Sequence, residues 1–314
     1  MKNFKTFVAA LALTVSTALA AAEMPKELNI TYVKSPFNLQ NIVMKERKLL
    51  EENFGKEGVK VNWYVINSGA QQAQALASGS LDASAVMNTA SLLMAAANGV
   101  DLRVVTGVAH PNSIFAIVGK PGEHLKIADL KGKTVVGPKG TVLHQLLVAV
   151  LKSEGMSITD VNFVSMDPAS ALSAILSGKA DAGLLAANLI IKAKASGAEV
   201  ITTAEGLVKP NLVMVAREGF VKDYPEAAAL LVKTQRDTLA WIKANKEEAL
   251  KIGAKEQGIS LEDAAKLYDW SNFYDTLTED DIAGMEADQA FLRENGMMEK
   301  SVEVKTLVAP SALQ

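Results

Sequence analysis

Residues 61–89, VNWYVINSGAQQAQALASGSLDASAVMNT, decide the fold because a diverged copy, VNFVSMDPASALSAILSGKADAGLLAANL, occupies residues 161–189. In each copy an apolar run typical of a strand ends in a polar corner, and a helical pattern starts at once. Each helical pattern ends at a glycine, Gly79 or Gly178, and a second short strand follows. Two strand–helix–strand units that match in order and spacing predict two similar α/β lobes.

The polar corners of these units indicate where a ligand would bind. In open α/β sheets, ligands bind outside the carboxyl ends of the strands, and these corners lie at such ends. Two lobes that face each other with these edges would enclose a groove between them.

The first 22 residues have the pattern of a secretory signal peptide. Lys2 and Lys5 precede an apolar run at residues 7–19, and small residues stand before Glu23. The run is too short for a membrane span. We therefore expect a cleaved signal peptide and a periplasmic protein, whose net charge changes from −3 to −5 when the two lysines leave.

Composition excludes several classes of protein. About 290 residues remain after cleavage, which suits two lobes of ordinary size. The chain has no cysteine, which excludes disulfides, thiolate metal sites and a cysteine nucleophile. No basic stripe is interleaved with aromatic residues, so a nucleic-acid partner is not expected.

The order of the remaining patterns gives the lobe boundaries. Residues 28–33 alternate in polarity and predict the first strand, and residues 42–54 carry one apolar helical stripe. From residue 225 onward the pattern is helical. We place the first crossing between lobes after residue 118 and the return before residue 212. The predicted first lobe therefore comprises residues 23–118 and 212–314, with the C-terminal helices, and the second comprises residues 119–211.

No enzyme motif is present. The segment at residues 137–141 contains glycine, lysine and threonine but lacks the spacing of a nucleotide-binding P-loop. The three histidines have no HExxH arrangement, and no GxSxG motif marks a serine nucleophile. We therefore predict no catalytic residue, no metal site and no cofactor.

Helix starts are the better candidates for binding. The first turn of a helix has unpaired backbone N–H groups and the positive end of the helix dipole, which together favour an anion. Glycine at such a corner lets a ligand approach the backbone closely. The alternative is that the polar side chains only cap their own helices. The candidates at predicted corners are Ser35, Asn38, Ser68, Gly69, Lys139, Gly140, Thr141 and Asp167.

Asp167 stands where the first unit has Ser68. A carboxylate at this place would repel an anion, so the negative end of a ligand should lie nearer Ser68 and Thr141, and an amino group nearer Asp167. A plain helix cap followed by proline is the alternative.

Strand tips and two histidines complete the candidates. Asn88, Thr89 and Asn188 occupy equivalent tips in the two lobes, either as ligand contacts or as ordinary loop residues. His144 lies in the first turn of an apolar helix, and His110 lies at a strand tip near the crossing. Each histidine either contacts a ligand or is satisfied by its neighbours in the core.

Several segments together resemble the solute-binding proteins of ABC importers, of the nitrate, sulfonate and taurine type. They are the signal peptide, TYVKSPFN, INSGAQQAQALASGSLDASAVMNTA, GPKGTVLHQLL, MDPASALSAILSGKADAGLLAANL and LTEDDIAGMEADQAFLRENGMM. The resemblance implies the type II periplasmic-binding-protein fold, in which two α/β lobes joined by two crossing segments close on a ligand. It implies contacts at residues 35–38, including Phe37, and at the corners and tips named above.

The leading interpretation is a monomeric, non-catalytic binding protein. It would deliver a small solute to a permease in the inner membrane, which works with a cytoplasmic ATPase. Two alternatives stay open at this point. One is an enzyme on the same two-lobed fold, and the other is a module that signals ligand occupancy to a membrane receptor.

Overall fold

A computed structural model describes residues 23–33, 36–111 and 113–314, and two five-stranded sheets form the centres of two lobes. The first sheet contains β1 (Glu27–Tyr32), β2 (Lys60–Val65), β3 (Ala83–Asn88), β4 (Leu102–Ala109) and β10 (Leu212–Arg217). The second contains β5 (Phe115–Gly119), β6 (Thr134–Gly137), β7 (Asn162–Ser165), β8 (Ala182–Ala186) and β9 (Val200–Thr203). The predicted signal peptide lies outside the described residues.

The two sheets have equivalent strand orders, β2-β1-β3-β10-β4 and β7-β6-β8-β5-β9. In each sheet one strand, β10 or β5, runs antiparallel to both of its neighbours. The repeated sequence segments form β2-helix-β3 and β7-helix-β8, and β1 pairs with β2 in parallel as β6 pairs with β7. This is the predicted fold class, a type II periplasmic-binding-protein fold, and it is confirmed.

Helices cover the sheets. In the first lobe they are α1 (Leu39–Glu46), α2 (Leu49–Gly55), α3 (Gly69–Ala77) and α4 (Thr89–Ala97), and in the second α5 (Val142–Ser153), α6 (Pro168–Leu176) and α7 (Asn188–Ala195). The C-terminal segment adds α8 (Glu218–Asp223), α9 (Pro225–Ala244), α10 (Lys246–Gln257), α11 (Leu261–Ser271) and α12 (Glu279–Glu294). Short 3-10 helices occupy Ile127–Leu130, Ile158–Asp160, Val304–Leu307 and Pro310–Leu313.

The C-terminal helices pack on the first lobe. α9 and α10 contact α1, and α12 contacts α4. Residues of β3 and β8 are almost entirely buried, since both sheets carry helices on each face. No helix in the described part of the chain has the length and apolarity needed to cross a bilayer.

Two sequence expectations differ from the structure. The first crossing does not follow residue 118, because β5 already pairs with β8 and β9 in the second sheet. It lies between β4 and β5, and Val118 belongs to the second lobe. The apolar stripe at residues 42–54 forms two helices instead of one, because Lys48 has a left-handed backbone (φ 55°) that separates α1 from α2.

Candidate functional site

A groove with a volume of about 650 Å³ lies between the two lobes, at the carboxyl ends of β2, β3, β6, β7 and β8. Both lobes contribute to its lining, as expected for ligand sites in open α/β folds. The sequence-predicted residues that line it are Ser68, Gly69 and Asn88 from the first lobe and Lys139, Thr141, Asp167 and Asn188 from the second.

Among the described residues, three helices begin at this groove without a side-chain cap, namely α3, α5 and α7, and polar residues precede α3 and α5. Ser68 precedes α3 and Thr141 precedes α5, and neither side chain makes a capping hydrogen bond. The Thr141 hydroxyl instead donates to the carbonyl of Pro138, 3.0 Å away. First-turn N–H groups of a helix have no partner within the helix, so the groove has uncapped helix starts on both sides.

Two other helix starts at the groove are capped. Asn88 accepts a hydrogen bond from the N–H of Ser91 at the start of α4. Asp167 accepts from the N–H groups of Ala169 and Ser170 and from the Ser170 hydroxyl at the start of α6. The hydroxyl and N–H groups of Ser170 lower the pKa of Asp167, so this carboxylate is charged at pH 7.

Charged side chains of both signs line the groove. Among the described residues, the charged lining consists of Lys139, Asp167 and Glu256. Glu256, on α10, also acts on Tyr32, because burial and then the hydrogen bond and charge of Glu256 raise the pKa of Tyr32 far above its usual range. The described part of the groove therefore has one ammonium group and two carboxylates.

Much of the remaining wall is apolar. Aliphatic, methionine and phenylalanine side chains come from strand ends and first helical turns of both lobes. They are Val33, Val65, Ile66, Val86, Met87, Phe115, Val142, Leu143, Met166, Leu189 and Leu212. A ligand that carries an apolar part as well as a charge would suit this lining.

The tip between β8 and α7 has an unusual backbone. Ala187 has φ 50° and ψ −120°, a conformation that favours glycine, and its N–H donates to the carbonyl of Ile114. The next residue, Asn188, donates from Nδ2 to Oε1 of Gln257, 2.8 Å away on α10. The strained turn thus places Asn188 against the first lobe at the edge of the groove.

Several predicted site residues do not line the groove. Phe37 is buried, and the buried Asn38 donates from its side chain to the carbonyl of Val33 without capping α1. The Thr89 hydroxyl donates to Asp288 on α12. Ser35 lies outside the described residues.

Gly140 and His144, at the start of α5, form hydrogen bonds and ring contacts with other protein groups. Gly140 has φ 70°, and its carbonyl accepts from the Ser91 hydroxyl of the first lobe at 2.8 Å. Its N–H donates to Nδ1 of His144, 3.4 Å away. The His144 ring stacks on Phe163 with centroids 4.9 Å apart. Burial, and then the charge of Lys139, lowers the pKa of His144 to about 4, so the ring is neutral at pH 7.

His110 belongs to a cluster at the crossing segments. Its Nε2 lies 2.6 Å from an Asp281 oxygen, and its ring stacks on Tyr274 with centroids 3.7 Å apart. Asn211, on the second crossing segment, donates to the same Asp281 oxygen and accepts from the Tyr274 hydroxyl. The cluster ties both crossings to the start of α12.

Four residues at the groove or at the lobe interface were not predicted from the sequence, namely Glu256, Gln257, Gln145 and Asp288. Glu256, Gln257 and Asp288 lie on helices whose local patterns look like ordinary amphipathic surfaces, and only the packing of α10 and α12 brings them to the lobe interface. Gln145 lies on the apolar helix α5, where it contacts Asp288. Among the described residues no group of three or more histidine, cysteine or acidic side chains is arranged to hold a metal ion.

The fold and the groove define a class, the two-lobed proteins with a periplasmic-binding-protein fold. A family model described as NMT1/THI5-like matches residues 52–249, and the chain belongs to this family. The predicted resemblance to solute-binding proteins of the nitrate, sulfonate and taurine type is confirmed by relatives that are named for sulfonates and taurine.

The relatives are named as binding proteins. A protein of Escherichia coli (strain K12), provisionally named an aliphatic sulfonates-binding protein, is 32% identical over 185 residues, which are 58% of this chain and 56% of that protein. The taurine-binding periplasmic protein of the same organism is 29% identical over 206 residues, which are 64% of this chain and 63% of that protein. The matches thus span less than two thirds of either relative.

A solved structure agrees over nearly the whole chain. The alkanesulfonate-binding protein SsuA from Xanthomonas axonopodis pv. citri, bound to MOPS, superposes with a TM-score of 0.81 at 24% identity. The match covers 92% of this chain and 99% of that one, so the two share their fold throughout.

Proposed function

We propose that this protein is the extracytoplasmic solute-binding component of an ABC importer and holds a small organic anion in the groove. The observation that carries the proposal is the pair of uncapped helix starts, α3 on one lobe and α5 on the other, at a single groove. Their N–H groups and positive dipole ends can bind an anion from both sides.

The side chains around these starts support a sulfonate-like ligand. The Ser68 hydroxyl and the Lys139 ammonium lie at the anionic end, the Thr141 hydroxyl would join them by releasing the Pro138 carbonyl, and the apolar wall suits an organic body. Asp167 and Glu256 would attract an amino group at the other end of the ligand. The names of the relatives, which refer to sulfonates and taurine, support the same ligand class.

Closure of the lobes around the ligand would give the permease a form to recognise. The protein would act in the periplasm as a monomer after its signal peptide is removed. Permease and ATPase would be its functional partners.

Binding by the purified mature chain tests the proposal. Titration calorimetry and thermal unfolding should be run with methanesulfonate, taurine, MOPS, nitrate and an uncharged sulfonamide of matched size. We expect one or more sulfonates to raise the melting temperature, since a ligand that binds only the folded form stabilises it. Binding of the uncharged compound alone would refute an anion site.

Alanine variants test the role of the helix starts. Ser68→Ala and Thr141→Ala each remove a hydroxyl that caps no helix. Stability should change little in Ser68→Ala and fall by about 1 kcal/mol in Thr141→Ala, which also loses the hydrogen bond to the Pro138 carbonyl. A hydrogen bond to a charged ligand contributes about 1.5–3 kcal/mol, so its loss should weaken the affinity roughly 10- to 100-fold. Ser260→Ala is the matched control, because Ser260 caps α11 through the N–H of Asp263. It should lower stability by about 1 kcal/mol and leave affinity unchanged. Unchanged affinity in both groove variants would contradict the proposal.

A further inference from the structure

Asp288, on α12, connects the two lobes. One carboxylate oxygen accepts a hydrogen bond from Nε2 of Gln145, 2.8 Å away on α5 of the second lobe. The other oxygen accepts from the hydroxyl of Thr89, 3.4 Å away at the start of α4 in the first lobe. The side chain of Asp288 therefore joins three helices from two lobes.

This junction lies directly behind the groove. Thr89 follows Asn88, and Gln145 is one helical turn after Thr141, and both Asn88 and Thr141 line the groove. Beside the junction, the Ser91 hydroxyl of α4 donates to the carbonyl of Gly140 across the same interface. A change in the position of Asp288 would therefore displace the first turns of α4 and α5.

The partners of Asp288 are neutral, and no cation pairs with it in the described residues. Burial raises the pKa of Asp288, although the hydrogen bonds from Gln145 and Thr89 oppose this. Neighbouring titratable groups are engaged elsewhere or exposed. On α5, His144 faces Gly140 and Lys152 pairs with Glu294, and α4 has no titratable side chain. On α12, Asp281 bonds to His110. Glu286 and Lys305 are exposed.

We propose that Asp288 is a positioning residue for the groove, which holds the first turns of α4 and α5 together and thereby stabilises the closed arrangement of the lobes. The inference rests on the proposed function, in which closure encloses the ligand. Asp288 itself need not touch the ligand, because it acts through Thr89 and Gln145.

Closure is then linked to protonation of Asp288. Opening the lobes would admit water and so lower the pKa of Asp288, while loss of the Gln145 hydrogen bond would raise it. Burial is the larger effect, so the pKa of Asp288 is higher in the closed form than in the open form. Closure is therefore most favoured below the open-form pKa, and the advantage is lost as pH rises through the closed-form pKa. Each unit of difference between the two pKa values changes the closed-to-open ratio about tenfold.

Lobe distance can be measured without any ligand. The chain has no cysteine, so Gln74→Cys on α3 and Ser173→Cys on α6, both exposed, give two unique sites for spin labels. Inter-lobe distances should be recorded by pulsed electron paramagnetic resonance from about pH 8 to about pH 4, a range that extends from well above the ordinary aspartate pKa down to it. The variants are Asp288→Asn, Gln145→Ala and, as matched control, Glu286→Gln, which removes one exposed charge from the same helix.

We expect the closed fraction of the unsubstituted protein to rise as pH falls. Asp288→Asn should be more closed at pH 8 and lose this dependence, Gln145→Ala should be more open throughout, and Glu286→Gln should follow the unsubstituted curve. The proposal is overturned if Asp288→Asn and Glu286→Gln give the same pH curve. It is also overturned if Gln145→Ala leaves the closed fraction unchanged.

A second pair of variants keeps the test decisive if Asp288→Asn folds poorly. Gln145→Glu places two carboxylates together and should open the lobes, and adding Asp288→Asn should restore closure. Failure of this rescue in a folded double variant would count against the proposal.

Titration with taurine separates the proposed ligand class from the proposed role of Asp288. If taurine does not bind but the distances still depend on Asp288, only the proposed ligand class fails. If taurine binds and closes the lobes identically in every variant, Asp288 has no positioning role.

Discussion

Gly69→Ala should disturb the contact between the lobes at the groove. Gly69 has an ordinary helical backbone, but a Cβ added there would lie 2.7 Å from the Cβ of Ser91 and would also meet its hydroxyl. It would lie 3.2 Å from Nδ2 of Asn88. Since the Ser91 hydroxyl donates to the carbonyl of Gly140 in the other lobe, α4 must shift and this hydrogen bond must weaken.

The magnitude follows from three effects. Overpacking costs about 1–3 kcal/mol, and loss of the hydrogen bond costs about 0.5–1.5 kcal/mol. Replacing glycine with alanine in a helix raises the free energy of unfolding by at most about 1 kcal/mol. We therefore expect Gly69→Ala to destabilise the protein by roughly 1–3 kcal/mol.

Urea unfolding monitored by circular dichroism measures this change. Gly284→Ala is the matched control, because Gly284 lies inside α12, is exposed and has no atom within 4 Å of an added Cβ. It should stabilise the protein by up to about 1 kcal/mol. If Gly69→Ala proved as stabilising as Gly284→Ala, the steric reasoning would be refuted.

Three further predictions concern single residues. Ala187→Gly should stabilise the protein by about 1 kcal/mol in urea unfolding, because it relieves a strained backbone; destabilisation would contradict this. The His144 ring should stay neutral in a nuclear magnetic resonance titration down to about pH 4, and Lys139→Ala should raise that pKa. Because the folded pKa is lowered, the stability contributed by neutral His144 is present above about pH 6.5 and lost as pH falls towards 4. Asp82→Ala should cost roughly 3–5 kcal/mol at pH 7, since it leaves the partly buried Arg217 without its carboxylate, and a loss below about 1 kcal/mol would refute this.

The fold could be read from the sequence because its signals are local and repeated. The two copies at residues 61–89 and 161–189 fix two strand–helix–strand units, and their shared order predicts equivalent sheets. The first crossing was misplaced because β4 and β5 are consecutive apolar strands. Nothing in residues 102–119 tells that β4 pairs with β10 while β5 pairs with β8 and β9.

The candidate site was predictable where it consists of strand ends and helix starts. Ser68, Thr141 and Asp167 lie at corners visible in the sequence. Whether a corner residue caps its helix could not be read, because Asp167 and Ser68 occupy the same position in the repeat and only Asp167 makes the capping bonds. The role of Asp288 could not be predicted for another reason, since its partner Gln145 lies 143 residues away in the sequence.

The central place of β10 in the first sheet determines the order in which the lobes can be completed. A chain growing from its amino terminus holds every strand of the second sheet once β9 has been made at Val200–Thr203. The first sheet at that stage is in two pieces, β2-β1-β3 and β4, and the gap is filled only by Leu212–Arg217. The lobe that begins first is therefore finished last, and a chain cut within residues 204–211 would keep one whole sheet and two fragments of the other.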